Sequence, residues 1–116
     1  LDVYPENDDY PDGYDMNLVD AIIRCRYRES FSEEVLMTPG EIYRVEIVLP
    51  PTSNLFAVGH RVRLDISSSN FPRFDINPNT GEPMGRHTHQ IKATNQVYFG
   101  PDTPSLVLLP IIPGLE

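Results

Sequence analysis

The clearest strand signal in the sequence lies at residues 41–49, EIYRVEIVL. Side chains on one side of this run are aromatic or aliphatic, whereas the other side includes the charged residues Arg44 and Glu46. Alternation with a period of two is typical of a β-strand that covers one face against a core. Pro50 and Pro51 end the run, because proline has no N–H to donate to a sheet ladder.

Similar apolar alternation recurs along the chain. It is found at residues 61–67, 90–99 and 105–112, and more weakly at 1–4. Turn signals rich in proline and glycine separate these runs, and no segment keeps a period of 3.6 residues. Short strands joined by turns, without helices, predict an all-β fold built as an antiparallel sandwich or barrel.

A further strand is predicted at the end of residues 18–28. Alternation there places three arginines on one face and Ile23, Cys25 and Tyr27 on the other: the arginines are Arg24, Arg26 and Arg28. We expect the arginine face to be solvated, with acidic neighbours on adjacent strands, and Cys25 to be a small core residue. An anion site is the alternative interpretation of the same three arginines.

The bulk composition bounds the function. A chain of 116 residues is expected to form one domain. Its net charge of −8, from nine basic and seventeen acidic residues, argues against binding to nucleic acid or to an anionic membrane. No run of apolar residues is long enough to span a membrane. The single cysteine excludes an internal disulfide and leaves the compartment open.

No catalytic constellation is predicted. A serine hydrolase of the common kind places its nucleophile in a Gly-x-Ser-x-Gly turn, and the sequence has none. The serines at 67–69 follow a strand without a glycine elbow, so a triad with one of the three histidines is disfavoured.

Metal sites are also disfavoured. His87 and His89 could share a face of one strand, but zinc needs three or four ligands, and loop histidines are the favoured interpretation. Residues 8–19 depart from the calcium-loop pattern at its third and twelfth positions. An irregular calcium site from four nearby acids stays an alternative to a polar turn: Asp8, Asp9, Asp12 and Asp15. No cofactor is predicted.

The long irregular stretch at residues 68–89 carries the candidate contact residues. Long loops in compact domains are often functional or docking elements. Phe71, Arg73 and Phe74 lie there in one proline-containing segment, and aromatic and arginine side chains are typical of docking surfaces. Both rings could instead fold back onto their own core, and the sequence leaves the two interpretations open.

Three nearly continuous stretches of the chain resemble a known family. They are PTSNLF at 51–56, GHRVRLDISSSNFPRF at 59–74 and NPNTGE at 77–82. They are similar to the C-terminal domain of the cocaine esterase and X-Pro dipeptidyl-peptidase family, the CocE/NonD hydrolases. Supporting pieces include DVYP at 2–5 and TPGEIY at 38–43. The resemblance covers residues 2–113.

The resemblance implies a jelly-roll, galactose-binding-domain-like β-sandwich. Family members join such a sandwich to an α/β-hydrolase domain that carries a Ser-Asp-His triad and cleaves ester or peptide bonds. The sandwich holds no triad member and packs near the active-site mouth. We therefore expect this segment to be non-catalytic, with the catalytic domain of the same parent chain as its partner and Phe71, Arg73 and Phe74 as its contact residues.

The family's jelly roll usually has several strands before the point matched by residues 2–5. We therefore expect residues 1–113 to form an N-terminally truncated sandwich, followed by a tail at 114–116 whose Leu115-Glu116 resembles a purification-tag remnant. Exposed sheet edges invite pairing with another chain. Self-association through such an edge is expected, and a monomer at high concentration would count against it.

Two further functions are compatible with the sequence. Jelly rolls of this kind resemble carbohydrate-binding domains, so a stand-alone carbohydrate- or ligand-binding module is the alternative to a hydrolase accessory domain. The chain has no tryptophan for sugar stacking, although Tyr10 and Tyr14 are available. A purely structural or assembly module is the third hypothesis.

Overall fold

The computed structural model describes residues 1–114 and shows a mostly non-helical chain with one small antiparallel sheet. The strands are β1 (Asp2–Tyr4), β2 (Tyr14–Met16) and β3 (Arg61–Val62), in the spatial order β2-β1-β3. Within residues 1–114 a single 3₁₀ turn is present, at Cys25–Tyr27. This architecture agrees with the all-β class predicted from the sequence.

The first hairpin has a tight, well-bonded turn, as the sequence predicts for residues 8–13. The side chain of Asn7 accepts hydrogen bonds from the amides of Asp9 and Tyr10, at 2.9 and 3.0 Å. Gly13 has φ of 75°, and a Cβ there would lie 2.8 Å from the carbonyl oxygen of Tyr4. Only glycine fits this close approach in the left-handed region. Strand β2, which follows this turn, was not predicted.

A buried carboxylate joins the sheet to a distant part of the chain. Asp2 is fully buried, and its two oxygens lie 2.9 Å from Nδ1 of His60 and 3.0 Å from Nδ2 of Asn54. A buried carboxylate without partners would be strongly unfavourable, so these contacts are required for Asp2 to occupy the strand. They fix residues 54–60 beside β1 and thereby bring β3 alongside it.

One face of the sheet is aromatic. Tyr4 and Tyr14 are directly opposite each other across β1 and β2, and Tyr10 from the turn joins them. The Tyr4 ring lies edge-on to both other tyrosines, at 5.8 and 5.9 Å between centroids, while Tyr10 and Tyr14 stack at 4.9 Å. The His60 ring covers Tyr4 at 4.2 Å.

Several predicted strands are wrong as elements of this structure. Residues 41–49, 90–99 and 105–112 form no strand, and the strand predicted at 61–67 is limited to residues 61–62. A strand needs a neighbouring backbone for its ladder bonds, and these runs have none among the described residues. Their apolar side chains remain exposed, including Ile47, Leu64 and Phe99.

The prediction for the arginine face is also wrong. Residues 25–27 form a 3₁₀ turn instead of a strand, and Cys25 is half-buried. The residues expected to face solvent are the most enclosed ones, since Arg26 is buried and the side chain of Arg28 is covered as well. Carbonyl and carboxylate acceptors replace the water that these guanidinium groups would otherwise bind.

The described chain is extended for its length and has no apolar core. Its radius of gyration is 18.0 Å, whereas a compact domain of this size has about 13 Å. Apart from Pro78, no apolar side chain within residues 1–114 is buried. No helix in that range has the length and apolarity to cross a membrane.

Replacing Asp2 by Ala is expected to open the sheet. The substitution removes the acceptor of Nδ2 of Asn54 and of Nδ1 of His60, and the loss of a hydrogen bond costs about 0.5–1.5 kcal/mol net. Amide hydrogen exchange of residues 2–4 should accelerate accordingly. Asp12→Ala is the matched control, because Asp12 is exposed; equal exchange in the two variants would contradict the role given to Asp2.

Candidate interdomain contact surface

The predicted contact residues lie together at the surface. Phe71 is 67% exposed. Nη1 of Arg73 donates to Oδ2 of Asp20 at 2.8 Å, and its guanidinium lies 5.6 Å from the centre of the Phe74 ring. Phe74 itself is half-buried. Of the two interpretations left open for these rings, the structure places Phe71 outward and Phe74 against Arg73.

A groove runs between Arg24 and Arg26 on one side and the long loop at residues 68–89 on the other. It has a volume of about 260 Å³ and contains Phe71 together with both charged and apolar groups. The lining includes Arg24, Arg26, Glu82, His87 and Gln90. A groove that combines an exposed ring with charges of both signs suits contact with a protein surface better than it suits a small apolar ligand.

Arg26 forms the floor of this groove. Its Nη1 donates to Oε2 of Glu34 at 3.1 Å and to the carbonyl oxygen of Glu82 at 3.0 Å. The hydroxyl of Tyr27 donates to the other oxygen of Glu34 at 2.6 Å, and this hydrogen bond raises the pKa of Tyr27. Arg26 thus connects the 3₁₀ turn to the long loop, 56 residues away in sequence.

Arg28 holds together residues 25–35, which lie next to the groove. Its Nη1 donates to the carbonyl oxygens of Cys25 and Val35, at 3.0 and 2.7 Å. Its guanidinium lies 4.5 Å from the centre of the Tyr43 ring, a cation–π geometry. Arg28 therefore closes residues 25–35 into a loop and holds residue 43 against it.

The long loop is closed by its own polar residues. The amide of Ile91 donates to the carbonyl of Pro78 at 2.9 Å, and Nδ2 of Asn79 donates to the carbonyl of Ile91 at 2.9 Å. Asn79 has φ of 59°, in the left-handed region that asparagine tolerates better than most residues. These contacts bring the two ends of residues 78–91 together beside the groove. The sequence predicts a long irregular stretch at residues 68–89, and the role of Asn79 within it was not predicted.

Glu82 organises the tip of the same loop. The amide and hydroxyl of Thr88 donate to its carboxylate at distances of 3.0 to 3.3 Å. The pKa of Glu82 is lowered, first by the hydroxyl of Thr80 and then by the donors of Thr88. His89, 3.9 Å from Oε2 of Glu82, adds a favourable charge when protonated. Glu82 was not singled out from the sequence.

The histidines and serines form no triad in the described structure. The one His–Asp hydrogen bond there is that of His60 with the buried Asp2, and no serine hydroxyl contacts a histidine within residues 1–114. Ser67 donates to the carbonyl of Ser69, while the Ser68 hydroxyl accepts from Asn95. The His60–Asp2 pair therefore has a structural geometry, since hydrolysis by this chemistry needs a serine on the second imidazole nitrogen.

The candidate metal ligands are not assembled. Among residues 1–114, no group of three His, Cys, Asp or Glu side chains lies close enough to hold a metal ion. His87 lines the groove, whereas Nδ1 of His89 is hydrogen-bonded to the hydroxyl of Thr88. Of the four acids considered for calcium, Asp15 pairs with Arg63.

Comparison with known proteins decides the family. The family model of the X-Pro dipeptidyl-peptidase C-terminal non-catalytic domain matches residues 2–108. The chain belongs to this family. The resemblance inferred from residues 51–82 is thereby confirmed.

A curated relative shows the context of such a domain. The chain is 45% identical over 107 residues to the cocaine esterase of Rhodococcus sp. (strain MB1 Bresler), a match that covers 90% of this chain and 19% of the relative. The chain thus spans about a fifth of that hydrolase, which agrees with a non-catalytic segment of a larger enzyme. No solved structure matches the chain.

The Glu82–Thr88 contact is expected to weaken in acid. The folded pKa of Glu82 lies below its ordinary value of 4.5, so the contact is fully formed above pH 4.5 and is lost as the pH falls through the folded pKa. The amide resonance of Thr88 should titrate with a midpoint below 4.5. Glu82→Gln should abolish this titration, and a midpoint at or above the ordinary value would contradict the geometry.

Proposed function

We propose that this chain is the accessory C-terminal β-sandwich domain of a CocE/NonD-type serine hydrolase that acts on ester or peptide bonds. In this proposal the domain has the jelly-roll architecture, packs on the catalytic α/β-hydrolase domain of the same parent chain and borders its substrate site. Family membership supports the non-catalytic, hydrolase-linked part. The remaining parts are supported by the apolar surface described below.

The observation that carries the proposal is that the alternating apolar runs of the chain are exposed. Residues 41–49, 61–67, 90–99 and 105–112 have the pattern of half-buried strands, yet large apolar side chains from all four runs are exposed. Monomeric soluble proteins rarely expose apolar patches beyond a few hundred Å². Such runs gain stability when a second sheet covers them, at roughly 25 cal/mol per Å² of apolar surface.

The parent chain is the proposed source of that cover. The match occupies only a fifth of the cocaine esterase, so other segments of a hydrolase of this kind are available to cover the exposed apolar runs. When this chain is alone, a second copy can supply the same backbone partner. Self-association through sheet edges is therefore part of the proposal for the isolated chain.

The groove beside Phe71 is the proposed contact with the catalytic domain. Its lining includes Arg26, which is hydrogen-bonded to the carbonyl oxygen of Glu82, residues of the closed loop at 78–91, and the exposed Phe71. An exposed aromatic ring is suited to insert into a neighbouring surface, because it buries a large apolar area there. Arg73, held by Asp20, is positioned to offer its remaining donors to a partner carboxylate or carbonyl.

The alternative, a stand-alone carbohydrate-binding module, has less support. Tyr10 and Tyr14 are exposed, but they stack on each other with 16° between their planes. Each ring therefore offers at most one face to a sugar. No second observation favours that function.

Substitution at the groove in the parent enzyme tests the proposed contact. Phe71→Ala combined with Arg73→Ala is expected to raise KM by roughly three- to tenfold while kcat changes by less than about twofold, because uniform substrate binding is lost and the triad lies elsewhere. Phe31→Ala is the matched control, since Phe31 is 93% exposed and lies outside the groove lining. Equal KM values in the two variants would show that the groove does not border the substrate site.

A second test concerns the absence of chemistry in this segment. A fluorophosphonate probe is expected to leave Ser67, Ser68 and Ser69 of the 116-residue chain unlabelled, because none has a histidine partner in the described structure. The full-length parent should be labelled at one serine. Stoichiometric labelling of the isolated chain would overturn the non-catalytic assignment.

A further inference from the structure

The aromatic face of the first hairpin has features of a recognition surface that the groove does not share. It consists of Tyr4, Tyr10 and Tyr14, with His60 beneath Tyr4; we call it the tyrosine face. Tyr10 is 40% and Tyr14 is 46% exposed, so the rings cluster without being enclosed. The close approach at Gly13 fixes the turn that presents them.

The charged side chains of the first 23 residues are all acidic. Residues 1–23 contain no lysine, arginine or histidine and hold seven acids, which are Asp2, Glu6, Asp8, Asp9, Asp12, Asp15 and Asp20. Three of the seven have side-chain partners, because Asp2 contacts His60, Asp15 pairs with Arg63 and Asp20 pairs with Arg73. The other four are exposed, and no ion pair to any of them occurs in residues 1–114.

Aromatic rings next to unpaired carboxylates select a planar cation. The face of a tyrosine ring attracts a guanidinium group, and nearby carboxylates accept its forked N–H donors. Arginine uses both contacts at once, whereas an ammonium group is a strongly hydrated point charge. The chain already contains this combination, since Arg28 lies over Tyr43 and Arg73 contacts both Phe74 and Asp20.

We propose that the tyrosine face and the carboxylates of residues 6–12 form a docking surface for an arginine-bearing protein segment. Guanidinium groups stack on the outer faces of Tyr10 and Tyr14, and Asp8, Asp9 and Asp12 accept their N–H donors. The occupant is a cationic peptide chain, and a neutral sugar is the competing ligand that the experiment distinguishes. The proposal is independent of the groove and of the hydrolase assignment.

The test uses the 116-residue chain and a fluorescein-labelled peptide in which three arginines alternate with glycine. Its matched control is the same peptide with citrulline, which keeps the shape of arginine and lacks the charge. Fluorescence anisotropy at low ionic strength measures the dissociation constants, and the ring resonances of Tyr10 and Tyr14 locate the binding. We expect the arginine peptide to bind at least about tenfold more tightly than the citrulline peptide.

Two variants separate the carboxylates from the rings. Asp8→Asn, Asp9→Asn and Asp12→Asn together should weaken arginine-peptide binding by about tenfold. The hairpin should be retained, because none of these three carboxylates makes a hydrogen bond within the described residues. Tyr10→Leu with Tyr14→Leu should weaken binding by about fivefold or more. Tyr98→Leu with Asp102→Asn, on a remote exposed segment, should have no effect.

Several outcomes would overturn the proposal. Equal affinity for the arginine and citrulline peptides would remove the guanidinium from the interaction. Unchanged affinity in the triple asparagine variant, with hairpin amide protection intact, would remove the carboxylates. Perturbation of the Tyr10 and Tyr14 resonances by maltoheptaose or cellohexaose, without binding of the arginine peptide, would assign the face to a sugar. Binding of neither ligand would leave the face without a docking role.

Discussion

The buried carboxylate of Asp2 is the contact on which the organisation of the N-terminal half depends. It fixes Asn54 and His60 beside the first strand, and the third strand follows directly at Arg61. His60 in turn supports the Tyr4 ring, so the orientation of the tyrosine face rests on the same pair. Aspartate is unfavourable in most strands, and its burial here is compensated by two specific donors.

Arginine has the corresponding role around the groove. Arg26 and Arg28 bring together the 3₁₀ turn, the 34–35 segment and the long loop through carbonyl and carboxylate acceptors. Polar contacts of this kind are directional, so they fix geometry where a general apolar collapse would leave several arrangements of similar energy. The groove is therefore held in place by polar contacts, even though the apolar runs of the chain have no cover.

The sequence predicted some parts of this arrangement well, for a physical reason. The first strand and its turn depend on neighbouring residues, and Asn7 and Gly13 supply local hydrogen bonds and a permitted backbone angle. The family also followed from local motifs. For the loop carrying Phe71 the sequence left exposed and folded-back rings open, and its contact role stays a proposal.

The errors have a common cause. An alternating apolar pattern indicates that one face of a segment needs to be covered, but it does not identify the segment that covers it. Residues 41–49 keep the strand pattern without a neighbouring backbone, so no ladder forms. The burial of Arg26 depends on an acceptor 56 residues away, and the Asp2–His60 contact spans 58 residues. No local pattern marks partners at such separations.

The near absence of buried apolar side chains has a calorimetric consequence. The heat capacity change of unfolding comes mainly from hydrating apolar surface, and in residues 1–114 a large share of that surface is already in water. The isolated chain should therefore unfold with a smaller heat capacity increment than a compact domain of its length, and with a less curved dependence of its free energy on temperature. Association with the rest of a sandwich would carry the large negative heat capacity change that ordinarily accompanies folding.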